Sequence, residues 1–192
     1  MTKTPLAALI LVLAVTLAGG TGEARADEGE ALSPRQQAYV LWQQGYLLPL
    51  FGHYPEAIGR FQQSIDIHPT AENHTYLGWS LSMLGQFDAA IAECKKAIAL
   101  DPDYGNPYND IGVYLIDLGR PQEAIPWLEK AAEAKRYCCY QFPHVNMGRV
   151  FLDQGRLVEA KQAFERALAI DPEYPPARRG LEIIKEHGLI TL

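Results

Sequence analysis

Between Ala57 and Ile67 the apolar residues Ala57, Ile58, Phe61 and Ile65 recur at three- and four-residue spacing, with Arg60, Gln62, Gln63 and Asp66 between them. That spacing gathers the apolar set on one face of a helix. The pattern returns in "GQFDAAIAECKKAIALDP" (Gly85 to Pro102), in "GRPQEAIPWLEKAAEAKR" (Gly119 to Arg136) and in "GRLVEAKQAFERALAIDP" (Gly155 to Pro172). In register, Gly52, Gly85, Gly119 and Gly155 open the blocks, and Ala57, Ala90, Ala124 and Ala160 follow. Phe61, Cys94, Leu128 and Phe164 come next, then Ser64, Ala97, Ala131 and Ala167; Pro69, Pro102, Arg136 and Pro172 close the blocks. The steps between opening glycines are 33, 34 and 36 residues. A period near 34 marks a solenoid of helix pairs, in which each pair is stable only against its neighbours.

Each column has a physical reason. The opening glycines fall between two helical runs, where a left-handed C-cap favours glycine. A second series, Gly45, Gly78, Gly112 and Gly148, lies inside the first helix of each pair. There glycine costs about 1 kcal/mol relative to alanine, so another backbone is expected to pass close by, facing the small alanine column. The closing prolines end the second helix by biasing the preceding residue away from helical angles. At the start, "SPRQ" (Ser33 to Gln36) has the form of a capping box with proline at the first helical position. At the other end, "PPARRGLEIIKEHG" (Pro175 to Gly188) predicts one extra helix that covers the apolar face of the last pair.

The run "YLGWSLSMLGQFDAAIAECKKAIALDP" (Tyr76 to Pro102) resembles the tetratricopeptide repeat family throughout, and the columns extend that resemblance to four units. The resemblance implies an all-α fold: a right-handed superhelical solenoid of four helix-turn-helix repeats plus a C-terminal capping helix. It also implies a concave surface built mainly from the first helices. The units would run 38–70, 71–104, 105–140 (with a two-residue insertion) and 141–174, after an N-terminal segment 27–37 and before a capping helix and tail, 175–192. Leu41, His74, Tyr108 and His144 stand where the family often has tryptophan, and Arg136 replaces the closing proline.

The only long apolar run is "PLAALILVLAVTLAGG" (Pro5 to Gly20), after Lys3 and before Ala24, Arg25 and Ala26, a small-x-small cleavage pattern. It is short against the roughly 20 apolar residues of a membrane span. Residues 1–26 are therefore expected to be a secretory signal cleaved after Ala26, giving a periplasmic or secreted protein; an uncleaved anchor is the alternative. Cleavage takes two of the 17 basic and one of the 23 acidic residues, leaving 15 against 22, a net charge of −7. An acidic chain repels phosphate backbones, which argues against nucleic acid and for basic or neutral partners. No membrane contact is expected once the signal is gone.

No catalytic constellation stands out: there is no phosphate-cradling glycine loop, no paired-cysteine zinc motif and no histidine pair with helical metal-site spacing. The chain is read as a non-enzyme without cofactor or metal. His74 and His144 share one column and are expected to pack at a helix interface; His53, His68 and His187 fall near turns or helix ends. Cys94 occupies the bulky apolar column and reads as a buried hydrophobe. Cys138 and Cys139 lie where the two extra residues enter. Plain thiols are the expected state. A vicinal disulfide and a soft-metal site with His144 and Met147 are the alternatives.

A solenoid without chemistry offers a large curved surface for binding. On the first helices Tyr39, Trp42 and Tyr46 share one face, and the equivalent positions further on are Glu72, Thr75 and Trp79, then Asn106, Asn109 and Val113, then Phe142, Val145 and Arg149. With Tyr76, Asp110 and Asn146 alongside, the face grades from aromatic at the N-terminal end to amide and acid at the other. It predicts a protein or peptide partner with aromatic or aliphatic anchors and a basic or polar stretch. The candidate contact residues are Tyr39, Trp42, Tyr46, Tyr76, Trp79, Asn106, Asn109, Asp110, Asn146 and Arg149. Self-association of the solenoid ends is the alternative function, and a thiol or metal carrier using Cys138 and Cys139 a further one. Family members that grip acidic tails do so with lysine and arginine on this face; here only Arg149 is basic.

Overall fold

The computed structural model describes residues 31–190, with side chains described to residue 186; the expected signal, residues 1–26, lies outside the described residues. Four helix pairs follow one another: α1 (Pro34–Leu47) with α2 (Tyr54–Ile67), α3 (Ala71–Ser82) with α4 (Phe87–Leu100), α5 (Asn106–Asp117) with α6 (Pro121–Glu133), and α7 (Gln141–Asp153) with α8 (Leu157–Ile170). A ninth helix, α9 (Pro175–Ile190), closes the series. A 3-10 turn, Leu48–Phe51, joins α1 to α2. Each helix packs on the next, and α3, α5, α7 and α9 also touch one another in succession. The first helices therefore converge on the inner side of an all-α superhelical stack. Among the described residues no helix is long and apolar enough to cross a membrane.

The sequence columns map onto the packing. The opening glycines Gly52, Gly85, Gly119 and Gly155 sit at φ from +71° to +77°, where a Cβ would strain the backbone. The alanine columns are fully buried, as are Phe61, Cys94 and Leu128. The inner glycines differ from expectation in one respect. At Gly45, Gly112 and Gly148 it is a side chain of the partner helix that lies on the glycine: Phe61, Leu128 and Phe164, at 2.9, 2.5 and 2.6 Å from where a Cβ would stand. Only at Gly78 does a backbone come that close, the Ala90 carbonyl at 3.0 Å, beside Cys94 Sγ at 3.2 Å. A small thiol leaves the helices room to close until backbone meets backbone, whereas a ring or leucine fills the gap itself. Gly180 of α9 continues the column, with Phe164 2.4 Å from its would-be Cβ. Phe164 is thus held between α7 and α9, and Ala177 is fully buried beside it.

Several polar groups inside the stack are paired, whereas among the described residues Trp42 Nε1, Tyr114 OH and His144 Nδ1 are buried without a hydrogen-bond partner. Ser64, in an alanine column, donates to the Ala38 carbonyl at 2.6 Å and accepts from Asn73 Nδ2 at 2.9 Å, tying α1, α2 and α3 together. His74 packs at the α3–α4 interface and meets Glu93 at 2.7 Å. His144 is half-buried, and burial followed by the Arg166 charge holds its imidazole below the usual histidine range. Ser33 caps α1, accepting from the Gln36 N–H while its own N–H donates to Gln36 Oε1.

Arg136, which stands where the other units have a closing proline, tethers the end of the third unit. Its N–H donates to the Asp103 carbonyl at 2.9 Å and its carbonyl accepts from Gly105 N–H at 3.0 Å. Its guanidinium donates to Glu72 at 2.8 Å and to Asp101 at 2.6 Å, and lies 4.0 Å over the Tyr104 ring. One side chain therefore links α3, the end of α4 and the end of α6. Beyond it, the expectation of free thiols is corrected: Cys138 and Cys139 form a vicinal disulfide. The loop is anchored on both sides, by Tyr137 beneath Gly105 and by Tyr140 donating to the Ala134 carbonyl at 2.7 Å. The short turn between these anchors puts the adjacent sulfurs together. Met147 lies in the core and belongs with neither sulfur.

Candidate functional site

The aromatic residues of α1 and α3 form one continuous cluster. Tyr39 stacks on Trp42 and Trp42 on Tyr46, at centroid distances of 5.8 and 5.4 Å. This follows from their i, i+3 and i+7 spacing on α1. Tyr76 of α3 meets Trp42 and Tyr46 edge-on at 5.5 and 5.3 Å, then meets Trp79 edge-on at 6.4 Å. Tyr54 backs Trp79 from α2 at 6.5 Å. Edge-on and offset contacts of this kind hold rings in fixed orientations.

Against this cluster lies a cleft of about 260 Å³ lined by Tyr46, Leu50, Thr75, Tyr76, Trp79, Asn106 and Asp110. Six of the seven come from the first helices α1, α3 and α5. The sequence reading spread aromatic and acidic residues toward opposite ends of the face. The superhelical turn instead brings Asp110 of α5 beneath the aromatic wall of α1 and α3. Leu50 was not anticipated; it comes from the 3-10 turn. The apolar run "LPLF" (Leu48 to Phe51) between α1 and Gly52, without polar residues, was the available signal.

The floor is braced by a side-chain hydrogen bond between α7 and α5. Asn146 Nδ2 donates to Asn109 Oδ1 at 3.1 Å, and the Asn109 side chain acts to lower the pKa of neighbouring Asp110. Asn109 is only 7% exposed, so it serves as a support within the floor, its oxygen already engaged. Thr75 is likewise turned inward, donating to the Ala71 carbonyl at 2.8 Å. Burial raises the Asp110 carboxyl to about 7, with the Asn109 side chain pulling in the other direction. Tyr76 is also raised, by burial first and then by Tyr46, Asp110 and Glu72. Of the remaining expected residues, Tyr39 and Arg149 are exposed and lie outside the cleft lining.

The lining of the cleft is suited to binding. It offers ring faces and edges, an apolar flank and one carboxylate. Among the described residues no group of three or more histidine, cysteine or acidic side chains is arranged to hold a metal ion. Cys94 is buried against Gly78, and burial pushes its thiol well up, away from the reactive thiolate.

Sequence profiles of the tetratricopeptide repeat match residues 71–104 and 142–174, and a second profile of the same description matches 106–138. Together they cover just over half of the chain. Among proteins of known role, the chain is similar to the type IV pilus assembly protein PilF of Pseudomonas aeruginosa, 27% identical over 175 residues, covering 88% of this chain and 68% of PilF. It is similar to the small glutamine-rich tetratricopeptide repeat-containing protein 2 of Mycosarcoma maydis, 32% identical over 81 residues, covering 42% of this chain and 23% of that one. It is also similar to the BBSome complex member BBS4 of Bos taurus, 26% identical over 155 residues, covering 80% of this chain and 28% of that one. The chain therefore spans only about a quarter of these last two relatives. Solved structures share the fold. PilW, a type IV pilus biogenesis factor, superposes with a TM-score of 0.70 at 22% identity, over 80% of this chain and 72% of PilW. MamA superposes with 0.62 at 25% identity, over 69% of this chain and 77% of MamA. With its repeat columns, its stacked helix pairs and these matches in agreement, the chain belongs to the tetratricopeptide repeat family, a family of protein-interaction scaffolds.

Proposed function

We propose that this protein is a non-enzymatic adaptor of the cell envelope that holds an extended segment of a protein partner along its inner face. The observation that carries this reading is the cleft of Tyr46, Tyr76, Trp79 and Asp110 on the converging first helices. Ordered rings at the centre of an interface are where binding energy concentrates. Tyr39 and Trp42 extend the contact toward the N-terminal end, and Asn106, Asn146 and Arg149 toward the other, with Asn109 supporting them from below. The units are taken as 38–70, 71–104, 105–140 and 141–174, and the leader is removed after Ala26. Similarity to a type IV pilus assembly protein supports an envelope location and a role beside a large assembly. A pull-down from envelope extract with the wild type and with Trp79→Ala tests the reading. Loss of one or more partners from the variant is expected, and identical partner sets would refute it.

A specific observation favours a second reading, self-association. Phe51 is 73% exposed and Leu50 66%, beside exposed Val40 and Leu47, so the N-terminal end carries an apolar strip. Light scattering across the micromolar range decides: a constant monomer mass rejects it.

A further inference from the structure

The Asp110 carboxylate sits at the base of an aromatic cleft, and among the described residues no basic side chain forms an ion pair with it. The cleft lining contains no basic residue. Groups that sense the Asp110 charge are Tyr76 from α3, Cys94 from α4, Tyr104 from the turn before α5, Tyr114 from α5 and Tyr137 from the loop before α7. None of them is basic, and the Asn109 side chain favours the charged form. Elsewhere the same chain seats its cations on rings: Lys130 at 5.0 Å from the Trp127 centroid, Arg136 at 4.0 Å from Tyr104 and Arg156 at 4.4 Å from Phe151. Arg136, over the Tyr104 ring, is already engaged by Glu72 and Asp101. A desolvated carboxylate without a counterion is unfavourable. Rings standing over it add attraction for a positive charge.

Resting on the groove-binding reading above, we propose that the cleft is a receptor for one cationic side chain, lysine or arginine, of the partner segment. Asp110 supplies the counter-charge, and Tyr46, Tyr76 and Trp79 supply the cation–π walls. The aliphatic stem of that side chain runs against Leu50. Asn146 and Asn109 hold the carboxylate in place from below and make no direct contact with the cation. Binding of a cation favours ionised Asp110, so a proton is released below neutral pH and affinity rises with pH. With the free carboxyl titrating at about 7, about nine-tenths is ionised at pH 8 and about one-tenth at pH 6, so affinity is roughly tenfold weaker at pH 6.

The test uses the purified protein and capped pentapeptides, Gly-Ala-X-Ala-Gly, in which X is lysine, arginine, norleucine or glutamate. Binding is read from the Trp79 indole N–H resonance and from isothermal titration at pH 6 and pH 8. The expected result is saturable binding of the lysine or arginine peptide, at least tenfold tighter than norleucine at pH 8. Asp110→Asn should lose both that preference and its pH dependence. Trp79→Leu should weaken the lysine and arginine peptides while leaving the pH dependence in place. Equal binding of norleucine and the basic peptides would overturn the cation receptor and leave the groove reading standing. Perturbation of Trp79 by none of the four peptides would overturn the receptor; the pull-down then judges the groove independently.

Discussion

Replacing Asp110 by asparagine should make the protein more stable, and increasingly so as pH rises. The folded chain raises this carboxyl from 3.8 to about 7, so the native state keeps a proton that the unfolded chain has already released. Stability is therefore lost as pH climbs from about 4 to about 7, the reverse of a salt-bridged aspartate. At about 1.4 kcal/mol per unit the ceiling on this loss is about 4 kcal/mol. The cleft is open to solvent on one side, which screens the charge, so about 2 kcal/mol at pH 8 is the expected gain. Asparagine is nearly isosteric and cannot ionise, so it removes the penalty without opening a cavity. Urea denaturation of the wild type and Asp110→Asn at half-unit steps from pH 4 to pH 8 measures it. The two curves should nearly coincide at pH 4 and diverge through pH 6. A pH-independent offset, or a variant less stable at pH 8, would refute the account of a desolvated, unpaired carboxylate.

Other consequences are open to simple measurements. Gly112→Ala places a Cβ 2.5 Å from Leu128 Cδ2 and should destabilise by about 1–3 kcal/mol, while Gly59→Ala, with nothing within 4 Å, should stabilise by about 1 kcal/mol; thermal melts of the two should move in opposite directions. Arg136→Ala removes contacts to Glu72, Asp101 and Tyr104 and should cost about 1–2 kcal/mol, with less loss at high salt; no change at low salt would remove the clamp. Thiol titration of the denatured, unreduced protein should count one thiol, Cys94, rising to three after reduction; three at the outset would contradict the disulfide.

The repeat was legible because each column records a local physical demand. The positive φ at Gly52, Gly85, Gly119 and Gly155, and the buried alanines, follow from the spacing alone. The contents of the inner glycine gaps were not legible. Whether backbone or side chain fills the space depends on the partner residue's size across two helices, as Gly78 against Cys94 and Gly112 against Leu128 demonstrate. Gly180 extended the column into α9, but its neighbours lack the rest of the repeat pattern. Arg136 read as a missing proline because its partners, Glu72 and Asp101, lie 64 and 35 residues away. The cleft was half visible: its aromatic and acidic residues were identified, yet their juxtaposition depends on superhelical curvature that no local spacing encodes. The adjacent sulfurs of Cys138 and Cys139 depended in the same way on anchors at Gly105 and Ala134, outside their own loop.

Site-specific photo-crosslinking in the native cell tests the central claim most directly. A benzophenone side chain in place of Trp79, in the cleft, is compared with one in place of Glu159, exposed on α8. The account predicts a discrete adduct from the cleft position, diminished by Asp110→Asn, and none of that mass from α8. The same adduct from α8, with nothing from the cleft, would contradict it.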